Sequence, residues 1–491
     1  MTGAEGAGAA SLRSPRSRVS LVERLQAIVG GRFVIERPTP LLPYATDGLP
    51  GYQRMPRLAV FPGTRAETIA VVQLLAEEEM PFVPRGAGTG LSGGALADGV
   101  VLLGLHRLKQ ILDIDPARRI ATVEPGVVNA VLNRAVAQHG VFFAPDPSSE
   151  TACTIGGNVA ENAGGPHCLK YGVTLNHILA ATVLLPSGEV IVLGDDAGVM
   201  RGYDLLGAFV GSEGCFGIAL DITVALTRRP EGVRTLLADF PTVDGAAHAT
   251  SAIIASGIVP AALEFMDQAT VQVVEASIYA AGYPADAAAV LLIELDGDVA
   301  TLDDDVAAVT TLCRTHGARQ VHVAQTDAER AKLWLGRKKA FGAMGRVASH
   351  LVVQDAVIPR TALPHILADI QRIGEAHGIR VCNVFHAGDG NLHPNIAYDA
   401  DIPGIEQRVH DTMYDIMRAC IAAGGSITGE HGVGLDKLEY MDMLFTAPTL
   451  SAMCDVRRVF DPAQRANPGK VVPVHQCREW HGTPASTRSA R

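Results

Sequence analysis

Several things are scarce in this 491-residue chain, and each scarcity closes off a class of function. No uninterrupted apolar run approaches the ~18 residues that a membrane-spanning helix requires, so any membrane association is expected to be peripheral. The eight cysteines, at 153, 168, 215, 313, 382, 420, 454 and 477, include no C-x-x-C pair, which excludes a sequence-encoded iron–sulfur cluster or zinc ribbon. They read as buried or free thiols of a reducing compartment. Positive charge is short: 41 Lys and Arg against 52 Asp and Glu give a net charge of −11, which argues against a nucleic-acid partner. Residues 1–19, with Arg13, Arg16 and Arg18, lack periodicity and a secretory apolar region, and are expected to be a disordered tail. A second tail is expected over 476–491. Cytoplasm is the default location, with the inner face of a membrane as the peripheral alternative.

Glycine, by contrast, is abundant, with 51 residues, and the length calls for two or three domains. The densest stretch is Pro84-Arg85-Gly86-Ala87-Gly88-Thr89-Gly90-Leu91-Ser92-Gly93-Gly94. Glycine lets successive N–H groups point into one concavity, so this loop is a candidate phosphate cradle. Gly88, Gly90 and Gly93 match G-x-G-x-x-G, but a Rossmann site needs a helix immediately after the glycines. Here the apolar run Val100-Val101-Leu102-Leu103 predicts a strand instead, and no Gly-Lys-Ser/Thr follows to make a P-loop. A helix precedes the loop, opened by Thr64 with Glu67 three residues later as a capping box, with Ile69, Val72 and Leu75 on one face.

Two further polar, glycine-rich tracts follow. One runs from Pro145-Asp146-Pro147-Ser148-Ser149 into Thr154-Ile155-Gly156-Gly157-Asn158 and on through Glu161, Asn162, Gly164 and Gly165; the other is Gly211-Ser212-Glu213-Gly214-Cys215-Phe216-Gly217. Three such tracts suggest one large ligand held along its length.

These tracts, with His167-Cys168-Leu169-Lys170-Tyr171-Gly172, resemble the PCMH-type FAD-binding domain of the vanillyl-alcohol oxidase superfamily, within it the flavin subunits of bacterial glycolate oxidases and the related D-lactate dehydrogenases. The resemblance runs from about residue 20 to 475. It implies an α+β fold: a two-part FAD domain over 20–232, a ferredoxin-like antiparallel-sheet cap over 233–424, and a C-terminal segment, 425–475, returning to the FAD domain. It further implies FAD contacts at Arg85, Gly86, Ala87, Gly88, Thr89, Gly90, Ser92, Gly93, Pro147, Thr154, Gly157, Asn158, Asn162, Gly164, Gly165, Tyr171, Gly172, Glu213, Gly217, Ile218 and Asn467. The first loop has neither His nor Cys, so the flavin is expected to be bound without a covalent link.

From 233 onward strands alternate with helical stretches, suggesting an antiparallel sheet with helices on one face. Within it His386 and His393 lie seven residues apart, and on one straight strand they would face opposite ways. Gly388-Asp389-Gly390-Asn391 is turn chemistry, so two arms can bring both imidazoles to one side. With Glu430, from Gly429-Glu430-His431-Gly432, they make a candidate open site for a divalent ion such as zinc. A 2-hydroxy acid could chelate that ion through its carboxylate and hydroxyl, with His431 as general base and hydride passing from Cα to flavin N5. Arg337 matches the family position that holds the substrate carboxylate.

Dicarboxylate-oxidising relatives place a Lys in the strand corresponding to Leu351-Val352-Val353-Gln354-Asp355. None is present here, which favours glycolate or D-lactate over D-2-hydroxyglutarate. Electrons must leave to another carrier: partner subunits (a second flavin-type and an iron–sulfur subunit), a quinone or a carrier protein. The alternatives are a D-lactate or D-2-hydroxyglutarate dehydrogenase and a non-catalytic FAD-binding relay. A Rossmann dehydrogenase would require a helix from about Gly94.

Overall fold

A computed structural model describes residues 20–199 and 202–473; the tails expected over 1–19 and 476–491 lie outside the described residues. The N-terminal half holds two sheets. The first is mixed, in the spatial order Val34–Ile35, Leu58–Val60, Val101–Gly104, Phe82–Arg85, the last three mutually parallel. Helix Arg65–Glu77 buries Val71, Val72, Leu74 and Leu75 against it. Thr64 Oγ1 accepts the Glu67 N–H at 3.1 Å, while the Glu67 carboxylate takes the N–H of Gly63 at 2.7 Å rather than that of Thr64. The N-cap is present, displaced by one residue from a closed capping box.

Phe82–Arg85 and Val101–Gly104 are adjacent parallel strands, and the connection between them contains no helix. That removes the Rossmann alternative. The second sheet is antiparallel, ordered Ile111–Asp115, Ile120–Val123, Ile218–Ala225, Ile178–Leu184, Val190–Gly194. The second glycine tract packs beside it as a short helix, Ile155–Glu161, capped by Thr154 and ended by Asn162 at φ +49°.

The C-terminal half is built on a large antiparallel sheet whose long strands run Gln320–Val323, Gly232–Phe240, Ala289–Gly297, Ala262–Asp267, Cys382–His386. Its helices cover both faces, not one. Leu236, Ala238 and Phe240 pack with helices Val243–Ala255, Val299–Thr315 and Leu363–His377, whereas Leu237, Val290 and Leu292 pack with Gln268–Glu275, Asp327–Lys338 and Ala340–Met344. The strands are apolar on both sides, the pattern of a sheet covered on two faces. Of the cysteines, 153, 168, 215, 313, 382 and 420 are free thiols, and Cys454 departs from the expectation by being disulfide-bonded.

The chain's last described residues return to its first sheet. The N–H of Phe82 donates to Arg465 O at 2.9 Å, Asn467 Nδ2 donates to Gly94 O at 2.9 Å and Glu213 O at 2.6 Å, and Lys470 Nζ donates to Leu96 O at 2.8 Å.

The two halves are joined by charge. His167 Nδ1 lies 2.7 Å from Asp146 and its Nε2 3.2 Å from Glu294 of the large sheet, and Glu294 also accepts from Trp334 Nε1 at 2.6 Å. Burial alone would lower the His167 pKa, but the Asp146 and Glu294 carboxylates raise it to about 10. A raised folded-state pKa means that this bridge stabilises fully below the ordinary histidine value and is lost as pH climbs towards 10. His167→Gln should therefore cost roughly 1.5–3 kcal/mol near pH 6 and progressively less by pH 10. Denaturation of both proteins across that range checks it; a pH-independent difference contradicts the bridge.

Candidate active site

A cavity of about 470 Å³ lies between the two halves, within the roughly 300–1,000 Å³ usual for cofactor and ligand sites. All three glycine tracts reach its wall, through Arg85, Gly86, Ala87, Gly88, Thr89 and Gly90, through Pro147, Thr154, Gly157, Asn158 and Gly164, and through Glu213, Gly217 and Ile218. The first loop presses so closely on the second tract that a Cβ at Gly86 would stand 2.4 Å from Thr154 Oγ1, so only glycine fits. The Nδ2 of Asn158 and the Oε2 of Glu161, both on cavity-lining residues, are buried without a hydrogen-bond partner among the described residues, which fits a wall awaiting a polar ligand.

Seven expected contacts stand behind this wall rather than on it. Ser92 offers its carbonyl to the N–H groups of Leu435 and Asp436, Gly93 packs on Leu49 and Leu435, and Asn162 Oδ1 accepts the Leu175 N–H. Gly165 lies against Asp146, Tyr171 donates its hydroxyl to Asp296, Gly172 abuts Asn176, and Asn467 ties Gly94 to Glu213. Arg85 lines the cavity but turns its guanidinium to carbonyls, Thr46 O at 2.8 Å among them. The Glu213 carboxylate accepts from Val433 and Gly434 N–H, each at 2.7 Å, and burial raises its pKa to about 7 despite those bonds.

At the cavity's other end the expected turn forms: His386 pairs with Asn391 across it, and Asp389 Oδ1 accepts the Asn391 N–H at 3.1 Å. His386 Nε2 and His393 Nε2 then converge on Glu430 Oε1, at 3.2 and 3.1 Å. These three ligand atoms lie within 4.8 Å of one another, an N,N,O set that suits zinc and similar ions. His431 stacks on His393, with rings 5.1 Å apart and 5° from parallel. Burial pushes His431 down to about 4 against the pull of Asp355, so its imidazole is neutral. Burial would also lower His386, yet Glu264 and Glu430 outweigh it and hold this histidine well above the usual range. Arg337, in the last turn of Asp327–Lys338, is buried beside them, with Nη2 2.5 Å from Glu264 Oε2.

Two buried carboxylates complete the site. Glu264 accepts from His386 and Arg337; its sequence signal is a lone acid in the otherwise apolar run Ala261-Ala262-Leu263-Glu264-Phe265-Met266. Asp355 accepts from Thr428 Oγ1 at 2.6 Å, from Gly429 and His431 N–H at 3.0 and 2.9 Å, and from Lys437 Nζ at 2.9 Å. It also lies near His393 and His431 as a second possible ligand group, but its donors already satisfy it and the Lys437 charge opposes a cation. No local pattern marks Lys437. Burial would raise the Asp355 pKa, and Lys437 together with His431 and His393 more than reverses that. Asp355→Asn leaves Lys437 buried without a counter-charge and should cost about 3–5 kcal/mol in chemical denaturation, whereas Glu439→Gln, at an exposed pair, should cost under about 1 kcal/mol.

The surroundings of this site match known proteins. Residues 56–194 match the FAD binding domain family and 229–471 the C-terminal domain of FAD linked oxidases. The glycolate oxidase subunit GlcD of Escherichia coli (strain K12) is 44% identical over 94% of this chain and 93% of its own length. That of Bacillus subtilis (strain 168) is 41% identical over 88% and 92%, and the D-lactate dehydrogenase of Anaerostipes hadrus 32% identical over 85% and 89%. Among solved structures, p-cresol methylhydroxylase with substrate bound superposes with a TM-score of 0.77 at 17% identity, covering 93% of this chain and 97% of that one, a likeness of fold. Sequence and fold together place the chain in the FAD-linked oxidase family, among the relatives of the GlcD subunits.

Proposed function

We propose that the chain oxidises a small 2-hydroxy acid, glycolate or D-lactate, to the 2-oxo acid. The observation that carries this is the convergence of His386, His393, Glu430, His431 and Arg337 at one end of the cavity that the three glycine tracts line. The glycolate oxidase subunits and D-lactate dehydrogenases among its relatives support the same reading. In this reading 20–232 is the FAD domain, 233–424 the cap and 425–475 the returning segment.

The loop 86–90, with Thr154, Gly157, Asn158 and Gly164, would hold FAD, and His386, His393 and Glu430 would hold a divalent ion, zinc or one like it. When bound, FAD supplies an acceptor for the hydride and its two electrons, and the ion supplies Lewis acidity at the substrate hydroxyl. The chain's own groups do the rest. Arg337 binds the substrate carboxylate through donors that Glu264 leaves open, its Nε being buried without a partner. His431, neutral and on the cavity wall, accepts the hydroxyl proton. Val353 and Val384 line the same end, an apolar surface suited to a hydrogen or methyl substituent rather than a second carboxylate.

Electrons then pass to an acceptor outside the chain, a partner subunit carrying iron–sulfur clusters, a second flavin subunit, a quinone or a carrier protein. No helix among the described residues is long and apolar enough to cross a membrane. That suits a protein working in the cytoplasm or lying on the inner face of the membrane.

Anaerobic addition of glycolate or D-lactate to the zinc- and FAD-loaded protein should bleach the oxidised-flavin band, while L-lactate and 2-hydroxyglutarate should act weakly. His431→Asn should slow bleaching by about 10²–10⁴-fold with flavin and metal content unchanged. Flavin that none of these acids bleaches would favour the relay reading instead.

A further inference from the structure

We propose that Glu264 is a positioning residue that sets metal binding and substrate-carboxylate binding together; the proposal rests on the function proposed above. Glu264 is fully buried on strand Ala262–Asp267, and in the antiparallel register it stands directly opposite His386. Leu292 is its partner on the other side, and Met266, two residues along, shares its face, so the carboxylate sits in an apolar layer. A charge there is costly unless fully paired, and apolar residues of like volume would stabilise the layer at least as well. Packing therefore does not explain it, whereas its two partners do.

The Glu264 oxygens lie 2.7 and 2.9 Å from His386 Nδ1. Accepting the Nδ1 proton orients the ring and leaves Nε2 as the nitrogen free to bind a metal, on the side where Glu430 Oε1 stands 3.2 Å away. Oε2 also accepts from Arg337 Nη2 at 2.5 Å, which fixes the guanidinium and leaves Nε buried and unpaired. One carboxylate thus orients a proposed metal ligand and the proposed substrate clamp, and so fixes the spacing between the ion and the substrate carboxylate. Glutamine cannot replace it. It loses the charge that holds both cations, and its NH₂ group takes the place of one acceptor oxygen, so it meets a donor head-on; if that donor is His386, the Nδ1 proton moves to Nε2 and the lone pair is lost to metal.

The test uses the FAD-loaded full chain. Zinc affinity is measured by competition with a chelator, flavin content by its visible spectrum, and anaerobic flavin reduction by glycolate and D-lactate is resolved into an apparent Kd and a limiting rate. Glu264→Gln should weaken zinc by about 10–100-fold and, at saturating zinc, raise the apparent Kd for the acid at least about tenfold, with flavin content unchanged. Glu264→Asp keeps the charge but shortens the reach, and should give smaller losses in both; it decides the matter should the glutamine variant not fold. Either quantity staying within about twofold of wild type in the variants that fold, or a loss of flavin paralleling both, overturns the positioning role. Wild-type protein that takes up neither zinc nor another divalent transition-metal ion, or whose flavin no 2-hydroxy acid reduces, overturns the proposed function, and this inference with it.

Discussion

The histidine-lined end of the cavity hangs on one buried ion pair, Asp355 with Lys437. Residues 428–432 form an irregular, glycine-rich loop, and such backbone holds its shape only if its N–H groups find acceptors. Asp355 supplies them, gathering Gly429, Glu430 and His431 N–H and the Thr428 hydroxyl around one carboxylate. Lys437 neutralises it from the far side and also donates to Thr428 at 3.1 Å. The side chains of Glu430 and His431 are thereby aimed from a loop that has no regular structure of its own. Glu213 does the same one step further on, for Val433 and Gly434.

Basic and acidic groups alternate through the site: Arg337, Glu264, His386 and Glu430 follow one another, each within bonding distance of the next, and His393 meets Glu430 from the other side. His386 lies between the Glu264 and Glu430 carboxylates, which outweigh its burial and hold its pKa above the ordinary histidine range. His431 stacks beside this series with its Nε2 3.9 Å from Glu430 Oε1, beyond hydrogen-bond reach, and burial outweighs the pull of Asp355 and Glu430 to keep its pKa low.

Much of this was legible in the sequence because the informative features are local. The glycine loop, the Thr64 cap, the strand after Gly94 and the turn between His386 and His393 all depend on neighbours within about ten residues. What was not legible depends on partners far along the chain. Glu264 acquires meaning only from His386, 122 residues away, and Asp355 only from Lys437, 82 away. Ser92, Asn162, Tyr171 and Asn467 belong to recognisable motifs, yet their side chains or carbonyls brace the cavity from behind. A motif records which residues share a task, not which of them face the ligand. The second layer of helices on the large sheet follows from strand residues that are apolar on both faces, as Leu291 and Leu292 illustrate.

The return of the C-terminal segment has a consequence for how the protein comes into being. The cradle loop is translated nearly four hundred residues before two of its braces, Asn467 and Lys470. Buried carbonyls at Gly94 and Leu96 have these donors only once residues 467 and 470 have been made. A nascent chain therefore carries an unfinished cradle until those residues emerge, and a product that stops short of Asn467 would have every strand among the described residues in place but no finished seat for its cofactor.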